Sequence, residues 1–142
     1  MQTDSISMNR AADGNKILSI ISKVYLALNL AVYGGFTVGF FILPVRLASL
    51  IGIEIRDSAA LADFRAMYGG LCLGISAIFI LGWFKEEFKK SSIVLALTAA
   101  VGLLSGRIYT LLLDGPGNEY IYISMATEIG AIVIGTWLLK RS

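Results

Sequence analysis

Apolar residues in this chain gather into four long runs, Ile17 to Leu43, Phe64 to Phe84, Ile93 to Leu113 and Tyr120 to Leu139, separated by short polar connectors. A helix rises about 1.5 Å per residue, so about 20 residues cross a hydrocarbon core of ~30 Å. Each run is long enough. The pattern predicts an all-α polytopic membrane protein, a four-helix transmembrane bundle with spans over residues 17–43, 64–84, 93–113 and 120–139. The connectors and tails are too short to build a soluble domain, so residues 1–142 are expected to form a single transmembrane domain.

The polar breaks add detail. Pro44 to Asp63 is longer than a turn needs, and Val45, Leu47, Leu50 and Ile51 with Arg46 predict a short interfacial helix on the outer surface. Gly52 would end it. Asp57 and Ser58 are N-cap residues, which places the start of the second helix near Ser58, ahead of its apolar run. Asp114-Gly115-Pro116-Gly117-Asn118 is a dense turn signal. The run Lys85-Glu86-Glu87-Phe88-Lys89-Lys90 reads as a solvated loop. Gly35–Gly39, Gly70–Gly74 and Gly102–Gly106, with Ala126–Gly130 on the last run, have the small-xxx-small spacing that lets helix backbones approach closely. They are the expected contact faces of a tight bundle. No internal repeat is apparent.

Composition narrows the function. The chain is 56% hydrophobic, against about 45–50% apolar for soluble domains. It has no histidine and one cysteine, Cys72. Disulfide frameworks, Cys/His zinc sites, histidine-ligated haem and Ser-His-Asp catalysis are thereby excluded, and neither a metal nor a cofactor is expected. Cys72, mid-run, should pack as a small hydrophobe. A net charge of +2 without a basic stripe argues against a nucleic-acid partner. The first run is too long for the core of a cleavable signal and no A-x-A site follows, so it reads as a retained anchor.

Lys/Arg asymmetry sets the threading. Arg10, Lys16 and Lys23 lie before or at the first run, Lys85, Lys89 and Lys90 in the middle loop, and Lys140 and Arg141 at the end, while on the opposite side the Asp114–Glu119 loop has no basic residue and the first loop has Arg46 and Arg56. Both termini are expected in the cytoplasm. Arg65, Arg107, Glu128 and Asp114 then share the outer half of the bilayer, with Glu128 roughly 12 Å below the outer end of its helix. Arg65, Tyr68, Cys72 and Ser76 form one polar stripe, Arg107, Thr110 and Asp114 a second, and Tyr120, Ser124 and Glu128 a third; Asn29 and Tyr33 add an edge on the first helix. A charge in hydrocarbon costs at least about 2.5–3.5 kcal/mol and is expected to pair inside the bundle. The expected arrangement is an Arg65–Glu128–Arg107 cluster, with Asp114 on whichever arginine faces the surface.

Arg65-Ala66-Met67-Tyr68-Gly69-Gly70-Leu71, Gly106-Arg107, Asp114-Gly115 and Glu128 resemble, in that order, a bacterial family of small four-helix membrane proteins catalogued only as a domain of unknown function and loosely similar to the DoxX-like proteins. The resemblance spans roughly Leu18 to Leu139. It implies a multi-pass protein of the bacterial inner membrane and a charged set belonging to a common pattern, and it supplies no activity.

Three readings follow. In the first, Arg65, Tyr68, Arg107, Asp114, Glu128, Asn29 and Tyr33 line a pocket open to the outer leaflet that binds a membrane lipid or amphiphilic small molecule, the arginines meeting its anionic or carbonyl head. In the second, the protein is an isomerase-like enzyme acting on a lipophilic substrate, with Glu128 as base and Asp114 or Tyr68 as acid. In the third, the charges are a structural network in an accessory subunit. A homo-oligomer or larger membrane complex stays open under all three. A transporter is disfavoured, because no paired Gly/Pro helix break is apparent.

Overall fold

The computed structural model describes residues 2–141, with side chains from residue 14 onward. The described residues form five helices: α1 (Gln2–Ile42), α2 (Pro44–Leu50), α3 (Ser58–Phe84), α4 (Glu86–Leu113) and α5 (Glu119–Arg141). No strand occurs among the described residues. α1 from Gly14 onward, α3, α4 and α5 are each long and apolar enough to cross a membrane. With four such helices the chain is a multi-pass membrane protein of up-down-up-down topology. One end of the bundle carries α2 and the α4–α5 connection. The other carries the chain termini and the α3–α4 junction.

The helix ends follow local chemistry. α2 starts on Pro44, which supplies a helical φ where no backbone donor is needed, and the chain turns after it at Gly52, whose φ of 78° suits only a residue without Cβ. α3 begins at Ser58, since the Asp57 side chain accepts a hydrogen bond from the Ala60 amide at 2.8 Å. α1 continues past Ile17 to Gln2, beyond its apolar run. The expected solvated loop at Lys85–Lys90 is absent. Lys85 alone is extended, with φ −119° and ψ 118°, and Glu86 already opens α4. Glu86 and Glu87 suit the positive end of the helix dipole, and Lys89 donates to Glu86 at 2.6 Å and to Ser19 on α1 at 3.3 Å.

Two apolar cores divide the bundle along its axis. Near the termini, Tyr25, Leu26, Phe79, Ile93, Ala96 and Leu138 bring all four long helices together. At the α2 end, Phe40, Ala48 and Phe64 join only α1, α2 and α3. There α4 and α5 pack chiefly on each other, and α3 packs on α1 and α2. Exposed large apolar side chains on every long helix, such as Leu28, Leu73, Leu112 and Val133, give the bundle a lipid-compatible surface.

Of the glycines expected to carry this packing, only Gly39 touches another helix. A Cβ placed at Gly35, Gly74, Gly102, Gly106 or Gly130 would meet no neighbouring atom, and at Gly70 only a carbonyl of its own helix. Gly39 approaches α2 through Leu47. Close contacts between long helices fall at three other glycines. Gly69 lies against Phe40 and Phe41, Gly82 against Ser92 and Leu26, and Gly135 against the Tyr25 hydroxyl. Spacing alone does not say which face of a helix is turned inward. Beside two of these contacts are hydrogen bonds between helices: the Ser92 hydroxyl lies 2.8 Å from the Ile78 carbonyl, and Tyr25 donates to the Ala131 carbonyl at 3.0 Å.

α3 also contains a π turn over Arg65–Gly70, where the Leu71 amide donates back five residues to the Ala66 carbonyl. Gly69-Gly70 permits it, because the wider turn presses Gly69 onto the α1 phenylalanines. Such turns recur at functional sites.

Candidate functional site

Between the two cores the interior turns polar. Arg107 on α4 donates through Nε to Glu128 Oε1 on α5 at 2.9 Å, and the Glu128 side chain is only 8% exposed. The guanidinium carbon lies 5.8 Å from the centre of the Tyr120 ring, in the first turn of α5. Among the described residues no protein group accepts a hydrogen bond from the two terminal nitrogens of Arg107. Glu128 Oε2 is buried without a hydrogen-bond partner. Half of this ion pair is therefore satisfied by protein and half is not. Burying an unpaired polar atom costs about 1–3 kcal/mol, more for a charged one.

Arg107 forms part of the wall of a cavity of about 430 Å³. Gly102, Leu103, Gly106 and Thr110 form its α4 wall. Opposite stands Tyr68 from the π turn, with Ile51 from the end of α2, and Asn118, Tyr120 and Ile121 close it near the start of α5. The cavity exists because α3 leans on α1 and α2 at this level while α4 stays with α5. The bare backbone of Gly102 and Gly106 widens it. Its volume falls at the small end of the ~300–1,000 Å³ range of ligand pockets.

The expected three-member cluster is reduced to two. Arg65 forms no ion pair with Glu128 among the described residues: its Nε is buried without a hydrogen-bond partner, and its π segment packs chiefly on α1, whereas Glu128 sits on α5 beside α4. Asp114 joins no arginine. It is the exposed C-cap of α4, seven residues past Arg107, and forms no ion pair among the described residues. Tyr68 lines the cavity and packs at 4.5 Å on the Phe64 ring and 5.3 Å on Phe40. Asn29 donates to the Tyr25 carbonyl of its own helix at 2.9 Å, which uses its amide locally. Tyr33 sets its ring edge-on to Phe79 at 5.6 Å and lies within electrostatic range of Cys72 and Glu128. Ser76, on the stripe with Cys72, buries its hydroxyl without a partner.

Thr110 and Tyr120 stood in the polar stripes of the sequence, but nothing there marked Asn118, Ile51 and Ile121 as neighbours of Arg107. Gly102 and Gly106 were visible as a pair and read as a helix contact. No group of three or more His, Cys, Asp or Glu side chains converges among the described residues.

Neither the curated proteins nor the solved structures contain a match to this chain. A family profile does match, over residues 21–139, which takes in the π turn, the Arg107–Glu128 pair and the whole cavity. On that match the chain belongs to the family described as Domain of unknown function (DUF4345).

Proposed function

We propose that this protein binds an amphiphile with an anionic or carbonyl head in the cavity between α3 and α4. The observation that carries the reading is the Arg107 guanidinium, tethered through Nε to Glu128 and left with two terminal nitrogens beside an open cavity. A planar donor fork held by one edge presents the other to a carboxylate, phosphate or carbonyl oxygen. Tyr68, Thr110 and Asn118 offer further polar contacts to the head, and Leu103, Ile51 and the Gly102–Gly106 strip accept its apolar part. Arg65, Asn29, Tyr33 and Asp114 are not needed for this reading.

The Lys/Arg distribution favours cytoplasmic termini, which turns the cavity toward the outer leaflet, and the family resemblance favours a bacterial inner membrane. Cysteine accessibility tests this, with Gly117→Cys expected to be labelled by an impermeant reagent on intact cells and Ser142→Cys protected, in a background without Cys72. The opposite labelling would invert the topology.

Acid–base catalysis draws support from one feature, the unpartnered Glu128 Oε2, which is a free lone pair in a dry site. Asp114 lies too far along α4 to help it. The looser likeness to DoxX-like proteins stays a resemblance and adds no activity. The binding proposal is tested by extracting lipid from purified parent and Arg107→Gln protein and comparing both by mass spectrometry with the bulk membrane. An anionic or carbonyl amphiphile enriched in the parent and lost in the variant is expected. Bulk composition in both would sink the proposal.

A further inference from the structure

A second cavity lies at the opposite end of the bundle, in the cleft between α1 and α3. It measures about 350 Å³ and is lined by Ala27, Leu30, Ala31, Ile80, Trp83 and Phe84. No side chain lining it is charged, and Phe84 is 79% exposed at its lip. Ala27 and Ala31, one turn apart, leave the room. In a bilayer such a cleft is filled by hydrocarbon, so the question is which lipid fills it. The answer rests on the residues around its mouth.

Lys23 sits one turn below Ala27 on the same face of α1, about 6 Å along the axis. A helical side chain leans toward the N-terminus of its helix, so the Lys23 stem runs away from the cleft toward the terminal end of the bundle. Lys23 is half-buried, and among the described residues it has no hydrogen bond or ion pair. The acidic group it acts on electrostatically is Glu86, and Glu86 is already bonded to Lys89 at 2.5 Å. Lys85 follows Phe84 directly, with its ammonium 5.9 Å from the Phe88 ring and, among the described residues, no acidic partner. An apolar slot thus ends beside two lysines that form no hydrogen bond or ion pair among the described residues, Glu86 acting on Lys23 only at a distance.

We propose that this cleft is a site for an anionic phospholipid of the leaflet at the terminal end of the bundle, one acyl chain lying along Ala27 and Ala31 and the phosphate meeting Lys23 and Lys85. Charge complementarity selects the anionic headgroup, and the cleft selects a chain-bearing molecule over a free anion. The proposal does not depend on the cavity at the α2 end.

The test uses the full-length protein in nanodiscs of phosphatidylcholine with a minor share of phosphatidylglycerol, with retained lipids counted by native mass spectrometry. The parent is expected to retain phosphatidylglycerol beyond its share, and Lys23→Gln to lower that preference about fivefold, the weight of one basic side chain near an anionic surface. Ala31→Trp, which fills the slot and keeps both lysines, should lower it as well. Inorganic phosphate should not displace the lipid, and Lys140→Gln, at the same end but on α5, should leave the preference intact. Helicity and thermal unfolding confirm that each variant is folded. Equal retention of both lipids by the parent, displacement by phosphate, or a loss in Lys140→Gln as large as in Lys23→Gln would overturn the proposal.

Discussion

The two cavities occupy the same bundle and differ in where they keep charge. At the α2 end the cation lies in the wall, tied on one side to Glu128 on a neighbouring helix. At the terminal end the wall is apolar and the cations stand outside it, on Lys23 and at the α3–α4 junction. Depth explains the contrast. A lysine stem can carry its charge to the interface, so the slot beside it needs no counterion. Arg107 lies about two turns inside its helix end and needs a carboxylate to stay there. The teaching is that a buried pair can be built incompletely: Glu128 holds Arg107 in place and leaves one edge of the fork for something else.

Breaking the pair should have the largest effect. Glu128→Ala strands the Arg107 charge in the bundle, and loss of one partner of a buried pair costs about 3–5 kcal/mol. A thermal or denaturant midpoint in detergent is expected to drop accordingly. Replacing Glu128 and Arg107 together by leucine should recover most of that stability while abolishing amphiphile binding. Recovery of both stability and binding would show that the pair serves only the fold.

The next effect contrasts a closed contact with an open one. Gly82→Ala would drive a methyl group into Ser92 and Leu26, an overpacking worth about 1–3 kcal/mol. Gly102→Ala and Gly106→Ala meet no atom within 4 Å. They should leave stability unchanged or raise it by up to about 1 kcal/mol each through helix propensity. Because both glycines line the cavity, the same changes should weaken ligand retention there. A destabilised Gly106→Ala would mean that another surface packs against this face.

Smaller still is Tyr25→Phe, which removes the hydrogen bond to the Ala131 carbonyl and should cost about 0.5–1.5 kcal/mol in unfolding experiments. Smallest is Asp114→Asn. With the side chain exposed and unpaired, stability should stay within about 0.5 kcal/mol of the parent and ligand retention should not move. A marked loss of binding in Asp114→Asn would return this residue to the site.

Much of the architecture needed no tertiary information. Run length, the Asp57 cap and the Gly52 stop are local signals, and each appears where the chain placed it, because the bilayer forces polar backbone into helices and caps act within a few residues. The pairing of a buried arginine with Glu128 was legible too, since a carboxylate in hydrocarbon has few alternatives. Which arginine, and which glycines, were decided by helix rotation. Arg65, in the π segment of α3, forms no ion pair with Glu128 among the described residues, while Tyr68 from the same segment lines the cavity with Gly106. No periodicity in one helix encodes how its neighbours rotate against it. Gly69, Gly82 and Gly135 touch other helices while, of the evenly spaced pairs, only Gly39 does, and the cavity opens at the level where α3 and α4 part.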